Sequence, residues 1–285
     1  MAAYVNMIKI FISVRNRLEI TRKCLEALDK HSTTPHQIYI YDNSTNYMVA
    51  KHFALYCEQY IKGKISQVTF TTNATTFDAF SKASTFNFFG QQHESDPLKN
   101  KYKFLVCLDN DIIVMPEWDR ILLDAWSYIK TNKLNHIKVL AQNPGGIKSR
   151  SEVYKIKSNR YTLQGSVGEL GGSGLWSLRN NFFEDVGFLN LTKLAGLHKQ
   201  HDQHYWRLLK VASGGKPYIM GLDRKLGVHC GKIAGSVCNR LTRNKNNPKK
   251  DHTILFKEAE EKIGKQTFDE FFKSIVNDDS LINNW

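Results

Sequence analysis

The residues with the clearest chemical potential are Asp109 and Asp111, which flank a single asparagine. They follow the apolar run 102–108, whose length and β-branched content predict a strand buried on both faces. We expect both carboxylates at the carboxyl end of this strand, the edge where open α/β sheets bind ligands. Two carboxylates so spaced can share Mg²⁺ or Mn²⁺ with a diphosphate, since these ions prefer oxygen ligands. The alternative is that both aspartates only cap a turn.

The elements that must position this pair begin at the N-terminus. Residues 7–14 form a second apolar run, residues 18–28 carry apolar side chains at helical spacing, and residues 37–41 predict another strand that ends at Asp42. Strand, helix and strand in this length predict a βαβ unit and hence a parallel sheet. A carboxylate at the tip of the second strand can meet the ribose or base of a nucleotide. No Gly-x-Gly-x-x-Gly loop follows the first strand, and no Walker-type loop is present.

The chain resembles the GT-A fold glycosyltransferases, particularly the large family 2. The segments of the first half that carry the resemblance are Ile12-Ser13-Val14-Arg15-Asn16-Arg17, Ile40-Tyr41-Asp42-Asn43-Ser44-Thr45 and Leu108-Asp109-Asn110-Asp111. Those of the second half are Gly171-Gly172-Ser173-Gly174-Leu175-Trp176, Phe183-Glu184-Asp185-Val186-Gly187-Phe188 and His201-Asp202 ahead of Trp206-Arg207-Leu208. The order of these motifs is more specific than any one of them, and it covers roughly residues 7–230. The departure is His201, where the family commonly has Glu.

The resemblance implies an α/β GT-A fold, with a mostly parallel sheet flanked by helices. The catalytic domain would span residues 1–230, with a Rossmann-like nucleotide-sugar part to about 115 and an acceptor part at 116–230. Residues 231–285 would add a basic segment and C-terminal helices packed on that domain, because 252–277 has an amphipathic pattern. Residues 71–89 predict a loop and a helix, with Phe77, Phe80, Phe86 and Phe89 in the core, and 91–100 predicts a loop.

By the same resemblance, the chain would transfer a sugar from a nucleotide diphosphate to a hydroxyl group, with inversion at the anomeric carbon. The nucleotide would be UDP, as is common in the family. Asp111 would be the principal ligand of Mn²⁺ or Mg²⁺, and Asp109 would reach the ribose or the metal through water. His229, in a predicted late strand, would be the third ligand, although a lone histidine is more often structural. Asp42 would contact the uracil or ribose. Charge developing on the departing phosphate calls for such a cation.

Further residues are assigned to the phosphates and to the acceptor. Arg15 and Lys82 could touch the diphosphate, or equally be solvated surface charges. Asp202 would be the base that takes the acceptor proton, and its alternative role is a helix N-cap. The remaining acceptor residues are Gly171, Gly172, Trp176 and Trp206. The two tryptophans offer flat faces to a sugar or base, or else belong to the core.

Charge is the sequence clue to the acceptor. The net charge is +13, and residues 130–160 carry eight Lys or Arg against Glu152, while residues 224–250 carry eight more and no acid. Local basicity favours a polyanionic acceptor, with DNA first and an anionic membrane or lipid-linked phosphate second. A precedent in kind is the bacteriophage enzymes that glycosylate a hydroxymethylated base, which must then leave the stack. The alternative is a solvated face that binds nothing.

Composition limits the remaining classes. A chain of 285 residues with 41% hydrophobic content can build one large α/β domain. It shows no apolar stretch long enough for a membrane helix and no signal-peptide layout. Five scattered cysteines indicate reduced thiols in a cytoplasm, and the resemblance to phage enzymes implies that of a bacterium or a phage-infected host. Two other functions stay open: a cytoplasmic enzyme of surface polysaccharide or lipid-linked glycan synthesis, and a non-catalytic nucleic-acid-binding module on the same fold.

Overall fold

The computed structural model describes residues 7–14, 18–42, 65–70, 79–142, 152–158, 160–168, 174–188 and 208–229. Of residues 18–20, 65–70, 79–84 and 229 it describes the backbone only. The strands are β1 (Met7–Val14), β2 (His36–Asp42), β3 (Ile65–Phe70), β4 (Tyr102–Asp109), β5 (Ile112–Val114), β6 (Val139–Gln142), β7 (Glu152–Lys157), β8 (Thr162–Gly168), β9 (Leu175–Arg179), β10 (Ile219–Leu222) and β11 (Gly227–His229). The helices include α1 (Leu18–His31), α2 (Ala79–Glu94), α3 (Trp118–Thr131) and α4 (Phe182–Val186).

The main sheet of the described residues has nine strands in the order β3-β2-β1-β4-β9-β6-β10-β8-β7. Strands β3, β2, β1 and β4 are parallel to one another. Strand β9 is antiparallel to its neighbours β4 and β6, and β6 is parallel to β10. Strand β8 is antiparallel to β10 and to β7. Seven of the nine strands therefore point the same way. The mostly parallel α/β sheet predicted from the sequence is confirmed.

Helices cover the central strands on both faces. Ile8, Ile10 and Ile12 of β1 point into a core that also contains side chains of α1 and α3. Phe11 points the other way, into a second core with side chains of α2 and α4. A strand covered on both faces must be apolar at every position except where a polar group finds a partner. This explains why β1 and β4 were recognisable as continuous apolar runs.

Helix α2 differs from its prediction at its C-terminal end. The sequence predicts a loop from Gln91, but α2 continues to Glu94 and is followed by a short 3₁₀ helix, Lys99–Lys101. The loop prediction was wrong because it rested on polarity alone. His93 is 1% exposed, so the polar segment contributes to the buried side of the helix. Phe86 and Phe89 are buried, and their prediction as core residues is confirmed. Phe77 and the side chain of Phe80 lie outside the described residues.

A second, two-stranded sheet pairs β5 with β11 just beyond the carboxyl end of β4. The late strand predicted at residues 226–228 is thereby confirmed. The predicted tail of residues 231–285 lies outside the described residues. No helix in the described part of the chain combines the length and the apolar character needed to cross a bilayer.

Candidate active site

The candidate site lies where three adjacent parallel strands end. The register between β1 and β2 places Val14 beside Asp42, and the register between β1 and β4 places Ser13 beside Asp109. Because β1, β2 and β4 run in the same direction, Asp42, Ser13 and Asp109 lie at one edge of the sheet. This is the carboxyl edge, where sheets of this type bind their ligands.

The two carboxylates of this edge belong to different faces of the sheet. Asp42 alternates with Ile38 and Ile40, which face α1, and it is 1% exposed. Asp109 alternates with Leu105 and with Cys107, whose side chains belong to the core beneath α2. Successive side chains of a strand point to opposite faces, so this parity places Asp42 and Asp109 on opposite sides. A ligand that contacts both must cross the edge of the sheet.

The turn after β4 is held in place from two directions. The Asp109 N–H donates a hydrogen bond to the Gly174 carbonyl (2.7 Å), and Asn110 Nδ2 donates to Thr21 Oγ1 of α1 (2.9 Å). Gly174 permits this close approach, because a Cβ there would lie 2.7 Å from Ile112 Cδ1 and 3.2 Å from Asp109 Oδ2. Asp111 follows in the same turn and is 5% exposed.

Strand β11 brings His229 to the same turn. The register between β5 and β11 places the backbone of His229 opposite Ile112, the residue next to Asp111. The start of β11 is fixed by Gln142 at the end of β6. Its Oε1 accepts hydrogen bonds from the N–H groups of Leu226 (2.8 Å) and Gly227 (2.7 Å). The side chain of His229 lies outside the described residues.

The donor atoms at this turn suit a hard divalent cation bound together with a ligand. Asp109 and Asp111 offer carboxylate oxygens, and Mg²⁺ and Mn²⁺ usually complete such a shell with water and phosphate oxygens. Among the described side chains, no group of three or more His, Cys, Asp or Glu could hold a metal ion. Asp109 and Asp111 therefore fit a cation whose remaining ligands include water and the substrate.

A small cavity adjoins Asp109 on the α2 face of the sheet. Its volume, counted as the space that water centres can reach, is about 40 Å³. That is room for roughly three water molecules or one small group. The polar side chains that line it are those of Ser13, Thr85, Cys107 and Asp109. Its other lining residues are Phe11, Phe86, Phe89, Leu108, Gly174 and Trp176.

Sequence reasoning did not identify Ser13, Thr85 or Cys107 as lining residues. Strand alternation offered a signal for Cys107, which has the parity of Asp109. Ser13 is identified only by the register that places it beside Asp109. Thr85 comes from α2, and no local pattern indicates which face of α2 adjoins Asp109. Trp176, one of the predicted acceptor residues, does line this cavity.

Helix α2, which forms one wall of the cavity, is anchored by a buried ion pair. Lys9 of β1 is fully buried, and its Nζ lies 2.7 Å from Asp96 Oδ2 and 4.4 Å from the centre of the Tyr39 ring. Burial lowers the pKa of Lys9, while the hydrogen bond with Asp96 opposes that shift. Burial would raise the pKa of Asp96, but its hydrogen bonds, first that from Lys9, outweigh this and lower it. Nearby, His93 Nε2 lies 2.8 Å from the Asn180 carbonyl oxygen.

Several predicted site residues fall outside the described part of the chain. They are Arg15, Gly171, Gly172, Asp202 and Trp206. Lys82 lies in the first turn of α2, where the backbone alone is described.

The basic segments divide into paired and exposed cations. Lys138 is buried, and its Nζ lies 2.6 Å from Asp185 Oδ2. Arg160 Nη1 lies 2.9 Å from Glu117 Oε1, and the Arg224 guanidinium lies 5.0 Å from the centre of the Tyr161 ring. The exposed lysines of segment 130–160 within the described residues are Lys130, Lys133, Lys155 and Lys157.

Comparison with known proteins identifies the fold. No protein-family model matches the sequence, and no curated protein matches it. The structure of Staphylococcus aureus TarS 1–349 matches at 13% identity with a TM-score of 0.50, covering 87% of this chain and 68% of that one. The same protein in complex with UDP matches at 14% identity and a TM-score of 0.49, with the same coverage. The glycosyltransferase GlyE of Streptococcus pneumoniae TIGR4 matches at 11% identity and a TM-score of 0.41, covering 75% of this chain and 45% of that one. The similarity to TarS 1–349 shows a shared fold, and the GT-A-like fold expected from the sequence is confirmed at that level.

Proposed function

We propose that the chain is a glycosyltransferase that moves a sugar from a nucleotide diphosphate, a UDP-sugar, to a hydroxyl acceptor. The observation that carries the proposal is the meeting of Asp42 and Asp109 at one sheet edge, with Asp111 and the backbone of His229 just beyond it. This combines a nucleotide-binding edge with acidic ligands for a diphosphate-bound cation. The order of the family 2 motifs in the sequence supports the same function.

The nucleotide would lie across the edge of the sheet. Asp42, on the α1 face, would accept hydrogen bonds from the uracil or the ribose, and Asp109, on the α2 face, would accept them from the ribose. Carboxylates only accept hydrogen bonds when ionised, so both suit the hydroxyl and imide donors of a uridine. Because Asp42 is buried and Asp109 is half-buried, water would be excluded from these hydrogen bonds, which would strengthen them.

The diphosphate would lie beside the turn after β4. Asp111, Asp109 through water, and His229 would hold the cation that neutralises charge on the departing phosphate. Arg15 and Lys82 would contact the diphosphate and add positive charge. Asn110, hydrogen-bonded to Thr21, would keep the two aspartates in a fixed orientation. Preorganised charge of this kind stabilises the transition state without rearrangement during the reaction.

The acceptor would approach from the side of Gly171, Gly172, Trp176 and Trp206. Asp202 would take the proton of the attacking hydroxyl, and direct displacement would invert the anomeric carbon. We propose a hydroxymethylated base in DNA as the acceptor, because segment 130–160 is strongly basic and exposes Lys155 and Lys157 on one strand. A base acted on in this way must leave the helical stack.

The proposal is tested by a donor screen with Mn²⁺ against plain DNA, hydroxymethylated DNA and lipid-linked glycans, scored by nucleotide release and sugar incorporation. Asp111→Asn should lower turnover about 1,000-fold, because it removes a charged ligand of the cation. Asp29→Asn makes the same chemical change at an exposed position of α1 and should leave turnover unchanged.

Different outcomes separate the alternatives. Incorporation into lipid-linked glycan but not into DNA would favour glycan synthesis. Equal turnover of Asp111→Asn and wild type, or no nucleotide release from any donor, would contradict the enzyme proposal and favour a binding module.

A further inference from the structure

The hairpin of β7 and β8 leaves one face of the sheet open. Ile156 and Leu163 are 1% exposed and belong to the core that contains α3. Their neighbours along each strand, including Lys155 and Lys157, point to the opposite face and are exposed. Val153, on that same face, is 58% exposed. This end of the sheet therefore has one covered face and one solvent-exposed face.

Four exposed side chains form a single surface on that open face. The antiparallel register places Lys155 opposite Gln164 and Lys157 opposite Thr162, and directly opposed residues share a face. We call Lys155, Lys157, Thr162 and Gln164 the lysine face. Neither lysine forms an ion pair with a described residue, in contrast to Arg160 and Lys138. Two cations and two neutral hydrogen-bonding groups thus lie together in solvent.

By strand register, the lysine face belongs to the same face of the twisted sheet as Asp109. One row of register partners crosses the sheet, and it consists of Cys107, Trp176, Ala141, Gly221, Ser166 and Val153. Asp109 and Lys155 each lie two residues beyond this row, on strands that point the same way. Five strand spacings of about 4.8 Å separate their two strands, which is a path of roughly 24 Å along the twisted sheet.

We propose that the lysine face binds the phosphate backbone of the DNA acceptor whose modified base enters the active site at the Asp109 edge of the sheet, an inference that rests on the proposed function. A path of about 24 Å corresponds to the axial length of roughly seven base pairs of duplex DNA. Phosphate contacts position a nucleic acid without reading its sequence, and lysines with hydroxyl and amide side chains are typical of such contacts. The acceptor would therefore need a minimum length before the lysine face contributes to its binding.

The chain offers a matched control within the same basic segment. Lys130 and Lys133 are exposed, but they lie at and just after the end of α3, shortly before β6 begins. Because β6 runs in the same direction as β4, its first residue lies at the edge of the sheet away from Asp109. Removing the charges of Lys130 and Lys133 changes the net charge as much as removing those of Lys155 and Lys157, but at the edge of the sheet away from Asp109.

The decisive experiment measures binding of the full chain to fluorescein-labelled duplex DNA of about 30 base pairs by anisotropy, at roughly 50 to 200 mM salt. Lys155→Gln with Lys157→Gln should raise Kd about tenfold and reduce the salt slope by about 1.8, since each phosphate contact contributes about 0.9. Lys130→Gln with Lys133→Gln should change neither quantity. In sugar transfer, the first pair should raise KM for long hydroxymethylated DNA but leave turnover of a trinucleotide unchanged.

The outcomes distinguish this inference from the function on which it rests. Equal effects of the two pairs, no effect of the first pair, or no DNA binding at all would overturn the lysine face. Binding to phosphatidylserine vesicles through Lys155 and Lys157, without DNA binding, would overturn it as well. If the variant lacking Lys155 and Lys157 transferred sugar to DNA with an unchanged KM, the glycosyltransferase proposal would hold and the lysine-face proposal would fail. If DNA binding needed both lysines but no donor released its nucleotide, the lysine-face proposal would hold and the glycosyltransferase proposal would fail.

Discussion

The two ends of the main sheet are built differently. At the β2-β1-β4 end the strands are parallel and helices cover both faces, so polar groups appear mainly at the carboxyl edge, where Asp42 and Asp109 lie. At the β8-β7 end the strands are antiparallel, and one face is exposed and carries lysines. A doubly covered sheet holds its edge rigidly, which suits chemistry. A half-covered sheet offers a broad surface, which suits a large partner.

The largest expected difference between the two ends is in stability. Lys9→Ala should lower the free energy of unfolding by about 3–5 kcal/mol, because it leaves the Asp96 carboxylate partly buried without its cation. Lys155→Ala, at the open end, should change it by less than about 0.5 kcal/mol. Urea unfolding at neutral pH measures both. Similar losses for the two variants would mean that the ends do not differ in this way.

Alanine substitutions of one glycine at each end of the sheet should differ in their effect on turnover. Gly174→Ala should lower turnover about 10- to 100-fold, because the added Cβ would press on Ile112 and on Asp109 Oδ2. Gly165→Ala, in β8, meets the flexible end of Met220 and should affect stability without lowering turnover of a short acceptor. Steady-state kinetics with thermal unfolding separate the two effects. An equal fall in turnover for both would argue against a rigid edge at Gly174.

Acid should weaken the covered end through His93. The pKa of His93 is lowered, chiefly by burial and also by the charge of Lys9. The hydrogen bond with the Asn180 carbonyl and the charges of Glu94 and Asp96 oppose this shift. Below pH about 6.5 the unfolded chain takes up a proton that the folded ring resists, so stability falls until the lower folded pKa is reached. His93→Gln should remove roughly 1 kcal/mol of this dependence between pH 7 and 5. Unfolding curves across that range that are identical for variant and wild type would contradict this.

The smallest effect is expected for the exposed ion pair at the β7–β8 turn. Arg160 and Glu117 have side chains that are 61% and 38% exposed, so solvent screens their attraction. Arg160→Ala should therefore cost less than about 1 kcal/mol. A thermal-shift measurement that gave a loss as large as that of Lys9→Ala would show that the open end is more rigid than its exposure indicates.

The covered end of the sheet was predictable from the sequence and the open end was not. Strands β1 and β4 are continuous apolar runs, and burial on both faces forces that pattern. Nothing local in Leu175–Arg179 indicates that β9 inserts antiparallel between β4 and β6, since that pairing depends on residues about 40 and 70 positions away. In β7 the lysines at alternate positions share a face by strand periodicity, but only the pairing with β8 and the exposure of that face show that it is the open one.

The candidate site was predictable in part for the same reason. Asp42, Asp109 and Asp111 follow apolar strands, and the ends of parallel strands meet at one edge. The role of Gly174 and the placement of Thr85 beside Asp109 depend on contacts between distant elements, which no spacing along the chain reveals.

The position of β9 has a consequence for synthesis on the ribosome. Strand β4 can pair with β1 as soon as it emerges, but its other neighbour, β9, is completed about 70 residues later. At typical translation rates of 5–20 residues per second, the free side of β4 stays unpaired for roughly 4 to 14 seconds. During that interval a nascent chain presents an apolar strand edge, the feature that recruits chaperones and seeds aggregates. Slower translation after residue 109 should therefore lower the yield of native protein.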